Sequence, residues 1–334
     1  MKLGIDLGGT KIEIIALDHQ GVELLRRRVA TPQGDYSATL HTIVNLVHAA
    51  EAELGQRGSV GIGTPGTISR ATGLLKNSNS VHLNGKPVLQ DLETLLQRKV
   101  MISNDANCFA LSEATDGAAA GASVVFGVII GTGVGAGIVV NGKVLTGPNG
   151  IAGEWGHNPL PWPAADELPG PDCYCGQQGC IETFLSGPGM AKLHQNGHGD
   201  INIPVNETRH ARFPLPNPPP EGEGANEPLC ELHVKDTGEF LSPDVIVALA
   251  AEGDKACALS MQHYENRLAR SLAHVINILD PDVIVLGGGM SNIERLYVNV
   301  PQLWSRWVFS DRVDTRLLKN KFGDSSGVRG AAWL

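Results

Sequence analysis

Three cysteines and a histidine crowded into one short stretch constrain this chain more than any other feature. From Gly153 to Glu182 it reads GEWGHNPLPWPAADELPGPDCYCGQQGCIE. His157, Cys173, Cys175 and Cys180 are the residue types that close a tetrahedral zinc site from nitrogen and sulfur. Gly176 and Gly179 supply sharp turns that let three thiolates converge. Four protein ligands leave no open position for a catalytic water, so such a site is structural. A loop tied in this way is expected to present its flanking carboxylates, Glu154 and Glu182, to a polar small molecule.

The rest of the sequence narrows the setting. The chain has 334 residues, enough for about two domains with buried cores. Its opening, MKLGIDLGG, reaches a Gly-rich turn too early for a secretory apolar region. Six cysteines without an export signal favour reduced thiols or metal ligation over disulfides and point to the cytoplasm. No apolar run reaches about 18 residues, so no membrane span is expected. The net charge of -9, without a long basic run, argues against sequence-independent nucleic-acid binding. A phosphate ligand must then be held by local backbone N–H groups or by a metal.

Hydrophobic periodicity predicts strands at 2–5, 12–17, 22–29, 60–63, 100–103, 124–130, 138–140, 143–145 and 281–286. It predicts helices over 36–54, 88–98, 105–119, 242–279, 292–307 and 328–334. Asn141-Gly142 is a strong hairpin signal. An echo links the two halves: IDLGGTKIEII early and VIIGTGVGAGIVV later each run strand, Gly/Thr turn, strand. Two such halves facing each other would make a cleft. From about 197 to 238 the chain is polar and Pro-rich with neither period, and reads as a disordered surface insertion. His198, His210, Cys230 and His233, scattered in or near it, read as bystanders.

Three further constellations carry chemistry. Gly131-Thr132-Gly133-Val134-Gly135-Ala136 matches the dinucleotide fingerprint in letters only, because a strand rather than a helix follows the turn. What remains is a turn of small residues that either approaches phosphate or is an ordinary hairpin. No P-loop occurs. In Asp6-Leu7-Gly8-Gly9-Thr10-Lys11, Asp6 suits water-mediated Mg²⁺ binding, and Gly8, Gly9, Thr10 and Lys11 suit phosphate oxygens. Asn104-Asp105-Ala106-Asn107 lies at a strand-to-helix junction, where Asp and Asn commonly cap helices. The competing role for Asp105 is a base accepting a proton from a substrate hydroxyl in phosphoryl transfer.

Taken together, these residues resemble the ROK family of bacterial sugar kinases. DLGGTK at 6–11 and GTGVGAG at 131–137 look like its phosphate motifs. GEWGH at 153–157 and CYCGQQGCIE at 173–182 look like its sugar and zinc signatures. GTPG at 63–66, NDAN at 104–107, VLGGG at 285–289 and RGAA at 329–332 follow in matching order. The resemblance implies an α/β actin-like ATPase (ribonuclease H-like) fold with two domains flanking a cleft. One domain is expected from 1–110 plus 322–334, the other from 111–321. It implies Asp105 as catalytic base, with Asn104, Glu154, His157 and Glu182 on sugar hydroxyls. It implies Gly131, Thr132, Gly133, Gly135, Gly287 and Gly288, beside the first turn, for ATP and Mg²⁺. His157 would then serve zinc with one ring nitrogen and sugar with the other. A homodimer is a further expectation.

Within the family the resemblance runs most strongly to fructokinases of the manno(fructo)kinase type, so fructose 6-phosphate is the leading expected product. Glucokinase and N-acetylhexosamine kinase are the alternatives in the same class. A sugar-responsive repressor of the family would need a groove-reading helix ahead of the motif that begins at Asp6. A kinase impaired by the insertion is the remaining option.

Overall fold

A computed structural model describes residues 1–78, 80–196 and 241–334. The expected insertion at 197–238, with His198, His210, Cys230 and His233, falls outside the described residues. Strands β1 (Lys2–Leu7), β2 (Lys11–Leu17) and β3 (Glu23–Ala30) form an antiparallel meander. Helix α1 (Tyr36–Leu54), capped by the Asp35 side chain on the Ala38 N–H and ended by left-handed Gly55, carries the chain to β4 (Ser59–Thr64). A small hairpin, β5 (Thr67–Ile68) and β6 (Leu75–Lys76), precedes α2 (Val88–Leu96) and β7 (Val100–Asn104). β4 is parallel to β1, and β7 is parallel to β4.

Helix α3 (Asp105–Thr115) leads to the second sheet. There β8 (Val124–Ile130), β9 (Val134–Val140) and β10 (Lys143–Val144) form a second antiparallel meander. After α4 (Ile181–Leu185), α5 (Gly187–Gln195), α6 (Pro243–Ala251) and α7 (Lys255–Leu279) comes β11 (Val283–Gly287). Helix α8 (Leu296–Trp304), β12 (Arg316–Lys319) and α9 (Ser326–Trp333) complete the chain. β11 is parallel to β8 and β12 to β11.

The two main sheets therefore have the same plan, β3-β2-β1-β4-β7 and β10-β9-β8-β11-β12. The sequence echo is the trace of this duplication, because each half starts its sheet with the strand–turn–strand unit. Central strands are continuous apolar runs, as strands covered on both faces require. Leu3, Ile5 and Ile62 of the first sheet pack with Ile43 and Val47 of α1. Phe126, Val128 and Ile284 of the second pack with Tyr264, Leu268 and Leu272 of α7.

Helices α3 and α9 bridge the halves. A Cβ at Gly330 would fall 1.6 Å from the Cys108 carbonyl oxygen, and one at Gly61 would fall 1.9 Å from that of Ala331. The glycines let α9 touch both α3 and the first sheet at backbone contact. Among the described residues no helix is long and apolar enough to cross a membrane.

The expected helix over 105–119 stops at Thr115. The Glu113 side chain accepts the Ala118 N–H and competes with continued helix. The expected helical run 242–279 is two helices, broken at Gly253 (φ 97°) and restarted by Asp254, which caps Cys257. Strand β12 was not expected: RLLK is too short to show a period.

Candidate active site

Each parallel strand delivers its following loop to the cleft edge, where ligands of open α/β sheets bind. Asp6 lies near the end of β1, and Asp105 opens α3 directly after β7. Burial pushes the Asp6 carboxyl up to about 6, and the charges of Asp105 and Glu13 add to that against Lys11 and Arg28. Asp105 is pushed up by desolvation, opposed by its backbone hydrogen bonds. By surface area Asp105 is exposed. Its carboxyl is thus open to solvent on one side and walled by protein on the others.

Capping at this junction falls to one residue of the pair. Asn104 is the cap: its Oδ1 accepts the Asn107 N–H at 2.8 Å. Asp105 Oδ1 accepts the Ala106 N–H at 2.8 Å, which fixes the carboxylate's orientation. The sequence could not separate the two roles, because both residues have the right type.

The first Gly turn is braced from β3 and its sequel. Thr31 Oγ1 donates to the Gly8 carbonyl at 2.8 Å, and Gln33 Nε2 to that of Gly9 at 2.6 Å. The Thr31 N–H donates to the Thr10 carbonyl at 3.0 Å. Apart from the Gly8 N–H, used on the Lys11 carbonyl, these braces occupy carbonyl oxygens and do not compete with phosphate for donors. Gly9, Thr10 and Lys11 are exposed. Thr31 and Gln33 escaped the sequence reading, since neither belongs to a motif.

The second turn joins β8 to β9 through Gly131, Thr132 and Gly133, with Thr132 exposed. The Gly131 N–H donates to the Gly133 carbonyl, and the Gly187 N–H to the Gly131 carbonyl, both at 2.9 Å. Glu182 Oε2 accepts the Val134 N–H at 2.8 Å. One oxygen of the carboxylate expected on the sugar is thus anchored to the phosphate turn. A Cβ on Gly133 would lie 2.7 Å from that oxygen. Gly135 faces Ala106, with 3.5 Å between its would-be Cβ and the alanine methyl. Gly287 is buried against the Phe109 ring, and Gly288 (φ 78°) against the Ile130 backbone. Both were expected at ATP; each also packs too closely to admit a Cβ, and Gly289 is the exposed glycine of that turn.

The GEWGH segment is set by packing on β9. Cβ atoms at Gly153 and Gly156 would strike the Ala136 and Val134 carbonyl oxygens, at 2.2 and 2.1 Å. Trp155 is buried edge-on to Phe126, with centroids 5.8 Å apart. Glu154 and His157 are left at the surface of the cleft, exposed and half-buried.

His157, Cys173, Cys175 and Cys180 come together as the sequence predicts, with their donor atoms all within 4.8 Å of one another. Cys175 Sγ and Cys180 Sγ are 3.6 Å apart, as are Cys173 Sγ and His157 Nδ1. A zinc–sulfur bond of about 2.3 Å gives tetrahedral edges of about 3.7 Å, so the four donors fit that ion. Left-handed Gly176 (φ 88°) and Gly179 (φ 69°) make the expected turns. The opposite end of the loop is pinned to α7, where Arg267 and Arg270 both bond the buried Glu167 carboxylate at 2.8 Å. That triad also escaped the sequence, since its members lie far apart in the chain. The other nitrogen of His157, expected toward sugar, bonds the Tyr174 hydroxyl at 2.9 Å.

A cavity of about 390 Å³ opens between β7 and the Thr146–Gly150 segment. It reaches Asn104 but holds none of Asp6, Asp105, Glu154 or Glu182. Beside it Arg70 Nη2 donates to Thr146 Oγ1 at 3.1 Å, tying the β5–β6 hairpin to the second half of the chain.

The duplicated α/β halves and the relatives that share them define a phosphotransferase of the actin-like ATPase fold with an alcohol group as acceptor. The chain matches the model of the ROK family over residues 2–334 and belongs to that family. It is 38% identical over 340 residues to the N-acetyl-D-glucosamine kinase of Pasteurella multocida (strain Pm70), covering 100% of this chain and 99% of that protein. The ROK hexokinase of Thermus thermophilus superimposes with a TM-score of 0.78 at 27% identity, over 100% of this chain and 97% of that one. A ROK glucokinase from Streptomyces griseus, solved with glucose and AMPPNP, gives a TM-score of 0.67 at 25% identity, over 99% and 97% of the two chains.

Proposed function

We propose that this protein is an ATP-dependent N-acetyl-D-glucosamine kinase that phosphorylates the C6 hydroxyl. The observation that carries this reading is full-length identity of 36–38% to N-acetyl-D-glucosamine kinases of several bacteria. Fructose, the leading expectation from sequence motifs, gives way, because those motifs bind what all sugars of the family share. They do not report on C1 and C2, where fructose and N-acetylglucosamine differ.

In this reading Asp105 takes the proton of the attacking hydroxyl while Asn104, Glu154, His157 and Glu182 hold the sugar. The Gly8–Lys11 and Gly131–Gly133 turns hold phosphate oxygens, with Lys11 adding positive charge. Asp6 would hold Mg²⁺ through water, and that ion supplies neutralisation of the phosphate charge. Zinc on His157, Cys173, Cys175 and Cys180 would be structural.

A panel of N-acetylglucosamine, N-acetylmannosamine, glucose, mannose and fructose, followed by coupled ADP release, tests the substrate. N-acetylglucosamine is expected to have the highest kcat/KM. A higher value for glucose would favour the hexokinase relatives instead, and no turnover of any sugar would fit a regulator of the same fold.

The Asp6 shift makes a separate prediction. An Asp whose folded pKa lies above its ordinary 3.8 is protonated in the free enzyme at mildly acidic pH. Its ionisation opposes folding, so this contribution lowers stability as pH rises from about 4 to about 6, until a cation compensates. The Mg²⁺ concentration for half-maximal rate should therefore be higher at pH 5.5 than at pH 7.5. A requirement that is flat across that range would remove Asp6 as the cation's partner.

A further inference from the structure

His157 has two nitrogens with distinct neighbours. Nδ1 faces Cys173 Sγ at 3.6 Å, within the four-donor cluster. With Nδ1 engaged as an acceptor there, the network assigns the ring proton to Nε2. That N–H donates to the Tyr174 hydroxyl oxygen at 2.9 Å. The rings meet edge to face, with centroids 5.1 Å apart and planes at 89°. The phenol oxygen thus stands where a sugar hydroxyl oxygen would receive the same proton.

The surroundings of Tyr174 are those of a removable group. The residue is 83% exposed, so turning it outward uncovers little apolar surface. The ring projects into solvent while its hydroxyl is held at His157. No other hydrogen bond of that hydroxyl is found among the described residues.

We propose that Tyr174 is a built-in competitor for the sugar: its hydroxyl occupies the His157 Nε2–H that a substrate hydroxyl needs, and sugar binding displaces it. This rests on the sugar-kinase reading of the site. A single neutral hydrogen bond lowers the population of the binding-competent state by about 3- to 10-fold, and apparent affinity falls by the same factor. Because the competitor acts before any sugar is bound, it penalises every sugar that uses Nε2 equally. It should set the sugar concentration at which the enzyme responds without choosing between sugars.

The test compares wild type with Tyr174→Phe and Tyr174→Ala, measuring KM and calorimetric Kd for N-acetylglucosamine and glucose, with zinc content as a control for the loop. The Phe variant keeps the ring beside the cysteines and loses only the oxygen. KM and Kd should fall about 3- to 10-fold for both sugars, with their ratio preserved and the KM for ATP as internal reference. Values that stay constant, or rise, overturn the proposal. A fall for one sugar only also overturns it, since that marks a direct contact with the substrate. If the wild type prefers another hexose, the same arms run with that hexose, so a wrong substrate assignment and a wrong role for Tyr174 give different results. No binding of any sugar overturns both.

Discussion

Replacing Asp105 by alanine is expected to lower kcat by about two to four decades while the KM for sugar stays within a few-fold. That range is what a positioned general base contributes, about 3–5.5 kcal/mol of barrier. The side chain is well suited to this role. Its Oδ1 is fixed by the Ala106 N–H, and burial raises its basicity above that of an ordinary carboxylate. Loss of stability should not confuse the result. Asn104, not Asp105, supplies the capping oxygen of α3, so the cost to folding is the charge at one helix N-terminus, about 0.3–1 kcal/mol. Asp105→Asn keeps the volume and should be nearly as inactive. Both variants also remove a neighbouring negative charge from Asp6, so the acid limb of Mg²⁺ dependence should move to lower pH. Turnover near the wild-type rate in the Asn variant would take Asp105 out of the chemistry.

Cys175→Ser is expected to empty the proposed zinc site and raise the sugar KM about tenfold or more, with a smaller loss in kcat. Cys175 is exposed whereas Cys173 and Cys180 are buried, so this substitution removes a donor without opening a core cavity. The loop has other anchors. Trp155 stays in its pocket against Phe126, and Glu167 stays between Arg267 and Arg270. What is released is the part between them, including His157 and the approach to Glu182. The proposed phosphate turn is linked to this loop by the Glu182–Val134 bond. Metal analysis of the purified wild type decides the premise: about one zinc per chain is expected, and none would refute the assignment of the thiols.

Much of this architecture is legible in the sequence because it repeats. The unit Ile5–Ile15 and its counterpart Val128–Val140 announce two similar halves before any strand is paired. The metal cluster is legible because its donors are close in sequence and of restricted chemistry. Contacts that depend on how a loop folds back are not. The Val134 amide that holds Glu182 and the phenol that holds His157 belong to residue types with no positional signature. Glycine is ambiguous in a specific way: Gly287 and Gly288 sit in a phosphate-like GGG, and the close approach of Phe109 and Ile130 requires glycine there as well. Strand β12 shows the same limit for short elements, whose neighbours rather than whose periods place them.

Helix α9 packs its Val328, Ala331 and Ala332 into the middle of the chain, with Val328 and Ala332 against Ile15 and Leu17 of the first sheet. Synthesis runs the other way. Residues 2–104 leave the ribosome some 220 residues before 326–333, a delay of roughly 10–45 s at about 5–20 residues per second. Throughout that interval one face of the first sheet, including the bare backbone at Gly61, lacks its native cover. The first half cannot finish folding on its own schedule. The newborn chain should depend on chaperones until α9 arrives.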